Sequence, residues 1–431
     1  MREMTISKTP WISEYPADWK QVPLHALFAE HKNKNKDGAE QNLLSLSYGS
    51  IIRKDINTNE GLLPESFNGY NIIEDGDIVL RLTDLQNDHR SLRTGLVTER
   101  GIITSAYVTL RKKAPLSSEY YHYLLHAFDI MKAFYTMGEG IRQSLGYDEL
   151  AYVVIPQPSL PEQHAIVRYL DSKCAAIDEA IERHKKIIEK LEEYRKAEIS
   201  QSVTRGMSAG VQTRPSGNRC TGDIPAHWGY CKILYVLAMP ITDGPHETPT
   251  AVDEGIPFIS AEAVSQGNGK IDFDHMWGYI SQEFYEQCCK KYIPQKDDIF
   301  MIKSGATTGK VAIVDTDRVF TIWSPLAVLR VNKEKMTAKY LFYYVQSNSY
   351  QQQVELGWNY GTQQNIGMRM VERLKVCVPP LEEQGYITTH LDKVWDEVNA
   401  SIEREITIIE KLEEYRKSII YNAVTGKIDC R

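Results

Sequence analysis

Ile187-Ile188-Glu189-Lys190-Leu191-Glu192-Glu193-Tyr194-Arg195-Lys196 recurs without a change as Ile408 to Lys417. A polar decapeptide does not repeat by chance, so the chain is read first for internal duplication. The match extends both ways. Leu160-Pro161-Glu162-Gln163 pairs with Leu381-Glu382-Glu383-Gln384, Leu170-Asp171 with Leu391-Asp392, and Ile181-Glu182-Arg183 with Ile402-Glu403-Arg404. Downstream, Ala423-Val424-Thr425-Gly426 echoes Ser202-Val203-Thr204-Arg205-Gly206. The chain is a tandem duplication, and this segment is its best-kept part.

Prolines precede each copy of the segment: Pro156, Pro158 and Pro161, then Pro379-Pro380. Proline disfavours helix before it and suits a first turn, so a long helix is expected directly after each cluster. Apolar residues then step by three, four and seven: Ile166, Leu170, Ile177, Ile181, Ile188, Leu191 and Tyr194 in the first copy. The second has Ile387, Leu391, Val394, Val398, Ile402, Ile409, Leu412 and Tyr415. That spacing marks a coiled-coil seam, with Glu, Lys and Arg on the solvated faces. Each helix should run about 40 residues, or ~60 Å, and a single apolar stripe that long needs a partner. The other copy is the obvious one. An antiparallel pair would place a domain at each end, so that one chain imitates a two-fold dimer. Gly385 is a poor substitute for the corresponding residue of the first copy, at a helix cost of ~1 kcal/mol.

Before each helix lies a mixed segment. Tyr15-Pro16-Ala17-Asp18-Trp19 opens the first, and Ile224-Pro225-Ala226-His227-Trp228 the second. Strands are expected at Asp77–Leu80 and Ala106–Leu110, then at Ile256–Ile259, Asp298–Ile302, Val311–Val314 and Leu326–Val331. Helical stretches are expected at Ser118–Thr136 and Ala338–Leu356. The segments align loosely: Gly76 to Val79 matches Asp297 to Phe300, and Ser105 to Arg111 matches Ser324 to Arg330. Ser208 to Thr221, rich in Ser, Gly, Thr, Pro and Arg, reads as an exposed linker. The expected fold is therefore α+β, with two globular mixed domains separated by two long antiparallel coiled-coil helices in an internal pseudo-two-fold repeat. The boundaries are 1–158 for the first domain, 159–220 for the central helix and linker, 221–378 for the second domain and 379–431 for the C-terminal helix.

The 431 residues carry a formal charge of −7. A nucleic-acid-binding domain is usually basic, although a local basic surface can coexist with acidic faces. No apolar run reaches the ~18 residues of a membrane span, and the N-terminus lacks a signal peptide's apolar core, so a cytoplasmic protein is expected. Seven cysteines without a C-x-x-C pair suggest reduced thiols and no metal site.

Catalytic patterns are missing. Gly305-Ala306-Thr307-Thr308-Gly309-Lys310 has three residues between its glycines where a P-loop has four, and Val311 where Ser or Thr would bind magnesium. It reads as a tight turn between strands. His122 and His126 are spaced like a zinc pair, but Tyr123 replaces the metalloprotease Glu. No nucleophile elbow, dinucleotide fingerprint or nuclease carboxylate cluster is present.

Donor-rich loops remain. Arg, Asn and Gln can hydrogen-bond base edges bidentately, and Lys suits phosphates. In the first domain the candidate DNA-contacting residues are Lys32, Lys34, Lys36, Tyr48, Arg53, Arg81, Thr83, Gln86, Asn87, His89, Arg90, Arg93, Arg142 and Gln143. In the second they are His246, Thr248, Lys303, Ser304, Thr307, Thr308, Lys310, Tyr360, Thr362, Gln363 and Gln364. An ordinary solvated loop is the competing reading of each; three loops at comparable places in both repeats weigh towards recognition. Ile177, Ile181, Ile188, Leu191, Tyr194, Val398, Ile402, Ile409, Leu412 and Tyr415 are expected to build the spacer and its docking surface.

The whole chain resembles the specificity subunit of Type I restriction–modification systems. The resemblance rests on Leu160 to Asp171 and its second copy, on the paired decapeptide helices, and on Gly305 to Val314. It implies two target recognition domains, each reading one half of a bipartite, asymmetric double-stranded DNA site. It implies helices that set the spacing and dock two modification (methyltransferase) subunits. It implies that adenine N6 methylation in host defence uses S-adenosylmethionine held by those partners, with no cofactor on this chain. Cleavage would belong to restriction subunits, and this chain would not itself be an enzyme. A non-catalytic coiled-coil scaffold, or an orphan methyltransferase specificity factor without a restriction partner, is the alternative. An enzyme with its own active site is disfavoured by the missing motifs.

Overall fold

The computed structural model describes residues 2–7, 9, 11–57, 66–85, 92–137, 144–208, 210–360 and 364–431. Two compact units emerge: Met1–His184 with Ile406–Arg431, and Lys185–Glu405. Each takes the beginning of one long helix and the end of the other. The helices are Leu160–Arg205, of 46 residues, and Leu381–Val424, of 44 residues. The second starts as cleanly as the first and runs through Gly385.

The units repeat one plan. Unit 1 holds a four-stranded antiparallel sheet in the spatial order Phe28–Glu30, Val108–Lys112, Ile78–Leu80, Thr94–Leu96. Unit 2 holds the same order as Thr242–Asp243, Leu326–Leu329, Ile299–Ile302, Val311–Ile313. Ile78, Val79 and Leu80 are fully buried, as are Ile299 to Ile302, which explains why these strands read as unbroken apolar runs. A carboxylate beside each central strand grips an arginine of its neighbour with two hydrogen bonds. Arg111 Nε and a terminal nitrogen donate to Asp77 at 2.8 and 2.7 Å; Arg330 donates to Asp298 at 2.7 Å twice. Forked charge-assisted pairs of this kind fix strand register as well as adding energy.

A helix follows each sheet. Ser118–Ile130 is N-capped by the Ser117 hydroxyl, which accepts from the Tyr120 N–H. Ala338–Tyr344 is capped in the same way by Thr337. The longer helix expected here ends early, because Ser347 caps a second one, Asn348–Leu356. Each domain closes with a strand pair, Lys20–Pro23 with Val154–Gln157 and Gly229–Lys232 with Lys375–Val378.

The repeated words in the sequence are fasteners. Gln163 Oε1 accepts from the Ser117 N–H at 2.9 Å while its amide donates to the Pro158 carbonyl. Gln384 does the same for Thr337 and Pro379 at 2.8 and 2.9 Å. The Trp19 indole donates to Glu162 at 2.9 Å, and the Trp228 indole to Glu383 at 3.0 Å. Tyr123 donates to Asp171 and Tyr343 to Asp392, at 2.7 and 2.8 Å. The far end of the other helix is held as well. Gly426 (φ +74°) turns against Pro16 and Trp19, and Gly206 (φ +75°) against Trp228. A β-carbon at Gly426 would approach Pro16 within 2.4 Å, so only glycine ends that helix there. Within each unit, then, one helix begins where the other stops, and the two run antiparallel.

The linker expected at 208–221 is not all linker. Thr213–Pro215 pairs with Asp223–Pro225, as Met4–Ile6 pairs with Glu14–Pro16 in unit 1. Three-residue strands carry no alternation long enough to be read from sequence.

Tyr194 and Tyr415 were placed on the helix seam; they are about half exposed instead, at 50% and 51%. At 3.6 residues per turn the seam passes from Leu191 to Arg195, one position further on. Arg195 donates to Asn399 Oδ1 at 2.9 Å and lies over Trp395, 4.4 Å from the ring. Its twin Arg416 pairs with Asp178. Ile177, Ile181 and Val398 are buried, and Ile188, Leu191, Ile402, Ile409 and Leu412 are half-buried.

Candidate nucleic-acid interface

In each unit, two of the diverged loops leave the framework at one neck. The Leu145 N–H donates to the Leu82 carbonyl at 2.9 Å, joining the stretch after Gln143 to the loop that begins at Arg81. The Ile366 N–H donates to the Lys303 carbonyl at 2.8 Å, joining the 359–365 segment to the loop that begins at Lys303. The two bonds sit at equivalent places in the repeat. In unit 2 the Gly305 N–H also donates to the Gln364 carbonyl, and Ser304 bridges Asn365.

Arg93, expected to reach DNA, is fully buried and forms the neck of its loop. Its guanidinium donates to the carbonyls of Arg81, Thr83 and Asp84 at 3.1, 2.8 and 3.3 Å, and to the Tyr135 hydroxyl at 3.1 Å. Five donors in a rigid fork suit that task, which Lys could not perform. Arg81 and Thr83 stand half-buried at the rim. Gln86, Asn87, His89, Arg90, Arg142 and Gln143 lie outside the described residues, as do Thr362 and Gln363. So does the side chain of Tyr360, whose backbone pairs with Gln364.

Lys32, Lys34 and Lys36 are exposed. Lys32 pairs with Glu30 at 2.8 Å and Lys34 donates to the Gly69 carbonyl. Their segment borders Val108–Lys112 through His31 and Asn71–Ile73 through Lys34; no described contact joins it to the Arg81 loop. Arg53 is bound to Glu99 through its Nε at 2.8 Å and holds that carboxyl below its ordinary range.

In unit 2 all three loops meet. Lys303 Nζ lies 3.4 Å from Asp243 Oδ2, and the Ser324 N–H donates to the Pro245 carbonyl beside it. Asp243 is buried and also pairs with Lys291 and, at 3.4 Å, with His246. Burial pushes its carboxyl up, but Lys291 and Lys303 outweigh this and hold it below its usual range. Lys303 is therefore mostly covered, a loop anchor more than a free contact. A β-carbon on Gly244 would lie 1.9 Å from the Ile322 carbonyl, which presses this loop onto the domain. His246, Thr248, Lys310 and Gln364 are exposed, and Ser304, Thr307 and Thr308 half-buried. Asp243 was missed by sequence reasoning; its nearest signal was its place at the head of the Asp243 to Thr248 loop.

The Gly305–Lys310 turn joins antiparallel strands with no helix after it, so it lacks the N-terminus that cradles phosphate in a P-loop. His122 and His126 face inward, with ring centres 6.1 Å apart. Among the described residues no cluster of three His, Cys, Asp or Glu could hold a metal ion, and no helix is long and apolar enough to cross a membrane.

Known proteins share this plan. Residues 245–413 match the family described as the Type I restriction modification DNA specificity domain. The proposed specificity subunit of the MjaX type I restriction enzyme of Methanocaldococcus jannaschii is 26% identical over 322 residues, 73% of this chain and 69% of that protein. The MjaVIII specificity subunit of the same organism is 22% identical over 339 residues, 77% and 75% of the two chains. A solved chain from work on complex assembly and conformational transition of the type I R-M system superposes with a TM-score of 0.69 at 16% identity, covering 96% of this chain and 99% of that one. The fold is that of two mixed α/β units with two long helices, and the match to the specificity domain lies in residues 245–413. In sequence over about three quarters of its length the chain is similar to specificity subunits of type I restriction enzymes, and in fold to a chain of the type I R-M system.

Proposed function

We propose that the chain reads a bipartite, asymmetric DNA sequence, one half with each domain, and positions modification subunits on it. The observation that carries this reading is the equivalent pair of necks. The Leu145–Leu82 and Ile366–Lys303 bonds present loops at the same place in both units, while the loop sequences differ. A kept frame with changed loops is what two readers of different half-sites require, because direct readout resides in the side chains that reach base edges.

The chemistry belongs to the partners. Two methyltransferase subunits carry S-adenosylmethionine and methylate adenine after flipping it from the duplex; restriction subunits join the same complex, and this chain contributes no catalytic group. Each decapeptide leaves two apolar residues on its outer face, Ile187 with Tyr194 and Ile408 with Tyr415, at 38–51% exposure. A seven-residue step returns to nearly the same face of a helix, so each pair forms one docking patch. Single-molecule sequencing of DNA from cells expressing the chain with its methyltransferase tests the reading. A methylated, split and non-palindromic motif is expected; the absence of any new motif overturns it.

A further inference from the structure

At the tip of one hairpin in unit 1 stands a residue whose backbone is costly and which is largely exposed. Leu44–Ser47 pairs with Ser50–Arg53, with Ser47 opposite Ser50. Tyr48 and Gly49 are thus the two central residues of the turn, with φ of +45° and +82°. Positive φ at both positions defines a type I′ turn, whose favoured pair is Asn-Gly. A bulky aromatic residue with positive φ is a genuine outlier, of a kind that persists at ligand-contacting sites. Tyr48 is 79% exposed. Packing therefore does not account for tyrosine here, and the turn itself disfavours it.

The surroundings give the ring a target. A β-carbon at Gly49 would lie 3.2 Å from Leu92 Cβ, and one at Gly95 within 2.9 Å of Leu46 and Ile51. The hairpin therefore lies across the Thr94–Leu96 strand, with its tip beside the end of the Arg81–Arg93 loop. At its base, Leu43 bridges Ile102, Gly101–Ile103 pairs with Asn71–Ile73, and Asn71 bridges Lys34. Two single bridges and one strand pair thus link the exposed Lys32, Lys34 and Lys36 to the hairpin. Serines flank the tip, so its profile is that of two strands ~5 Å apart with one projecting ring. A two-stranded ribbon fits the ~12 Å major groove.

We infer that Tyr48 is a stacking wedge: the hairpin tip enters a groove of the duplex, and the ring stacks against a base step that it partly unstacks. This rests on the DNA-recognition reading above. Aromatic stacking is tolerant of sequence, while the unstacking cost varies with the step and is lowest at flexible pyrimidine–purine steps. Tyr48 would thus add a preference at a position no hydrogen bond reads.

The test uses the full chain assembled with its methyltransferase, on duplexes carrying the mapped methylated site with 2-aminopurine placed in turn at each position of the first half. With wild type, fluorescence should rise at one step on binding. Tyr48→Asn should abolish that rise and weaken binding at least tenfold. Its thermal midpoint should match or exceed wild type, because Asn-Gly suits the turn. Tyr48→Trp should keep the rise. If Tyr48→Asn binds as well as wild type with the same fluorescence rise, the wedge is wrong. A wild-type complex that binds the site with no rise at any position also overturns it, while leaving DNA recognition intact. A wild-type complex that shows no preference for the mapped site defeats the recognition reading itself, and the wedge with it.

Discussion

The Tyr120 hydroxyl donates a 2.9 Å hydrogen bond to the carbonyl of Val424, 304 residues later in the chain. Tyr340 makes the equivalent bond to Val203 at 3.1 Å. Each domain thereby holds the last turn of a helix that begins in the other half of the sequence. Both tyrosines are fully buried, so their removal leaves a helix-terminal carbonyl without its partner. Tyr120→Phe and Tyr340→Phe should each lower stability by about 1–2 kcal/mol with little change in fold. Chemical denaturation followed by circular dichroism checks this, and no change for either variant would show the bond to be inconsequential.

The two inward histidines predict an acid-sensitive unit 1. Burial lowers both His122 and His126 to about 4 from 6.5; the Thr94 backbone partly offsets this for His122, while His122 and Arg416 add to it for His126. The unfolded chain therefore binds more protons than the folded one between pH 6.5 and 4. Stability is complete above that window and falls as pH descends through it, by about 3 kcal/mol for each histidine at ~1.4 kcal/mol per unit. Phe342 and Gln346 occupy the matching positions of unit 2. His122→Phe with His126→Gln should flatten the melting midpoint between pH 6.5 and 4; an equally steep fall in the variant would assign acid lability elsewhere.

Asp243 is a single buried carboxylate between Lys291 and Lys303. Asp243→Asn keeps the shape but removes the charge, leaving two cations crowded beneath a recognition loop. A loss of about 1–3 kcal/mol in stability is expected, together with weakened methylation that traces to the second half-site. Filter binding on duplexes altered in one half at a time separates the halves. Weakening confined to the first half would contradict the assignment.

The docking patches make a stoichiometric prediction. Replacing Ile187 and Tyr194 by alanine should remove one methyltransferase from the complex, and replacing Ile408 and Tyr415 the other. Native mass spectrometry should show a step from two partners to one in each case. Two partners retained in both variants would move docking off the decapeptides.

Much of this fold is legible in the sequence. The repeat is legible because Glu162, Gln163 and Asp171, and their twins, make the same side-chain hydrogen bonds to the domain in both units. Strand runs such as Ile299 to Ile302 were legible because both faces are buried. Tyr194 was misplaced because Leu191 is followed at steps of three and four by Tyr194 and Arg195, and hydropathy favours the tyrosine; the seam takes the arginine, whose stem packs while its head finds Asn399. Arg93 looked like a DNA contact because composition cannot distinguish a donor aimed at solvent from one aimed at three carbonyls. The convergence of loops rests on backbone hydrogen bonds, which leave no mark on side-chain sequence.

Exchange of the first domain, residues 1–158, for the corresponding domain of another specificity subunit, followed by genome-wide mapping of methylated adenine, tests the central claim most directly. One half of the methylated motif should change, with the other half and the spacing retained. A motif that changes in both halves, or in neither, would contradict two independent readers on one frame.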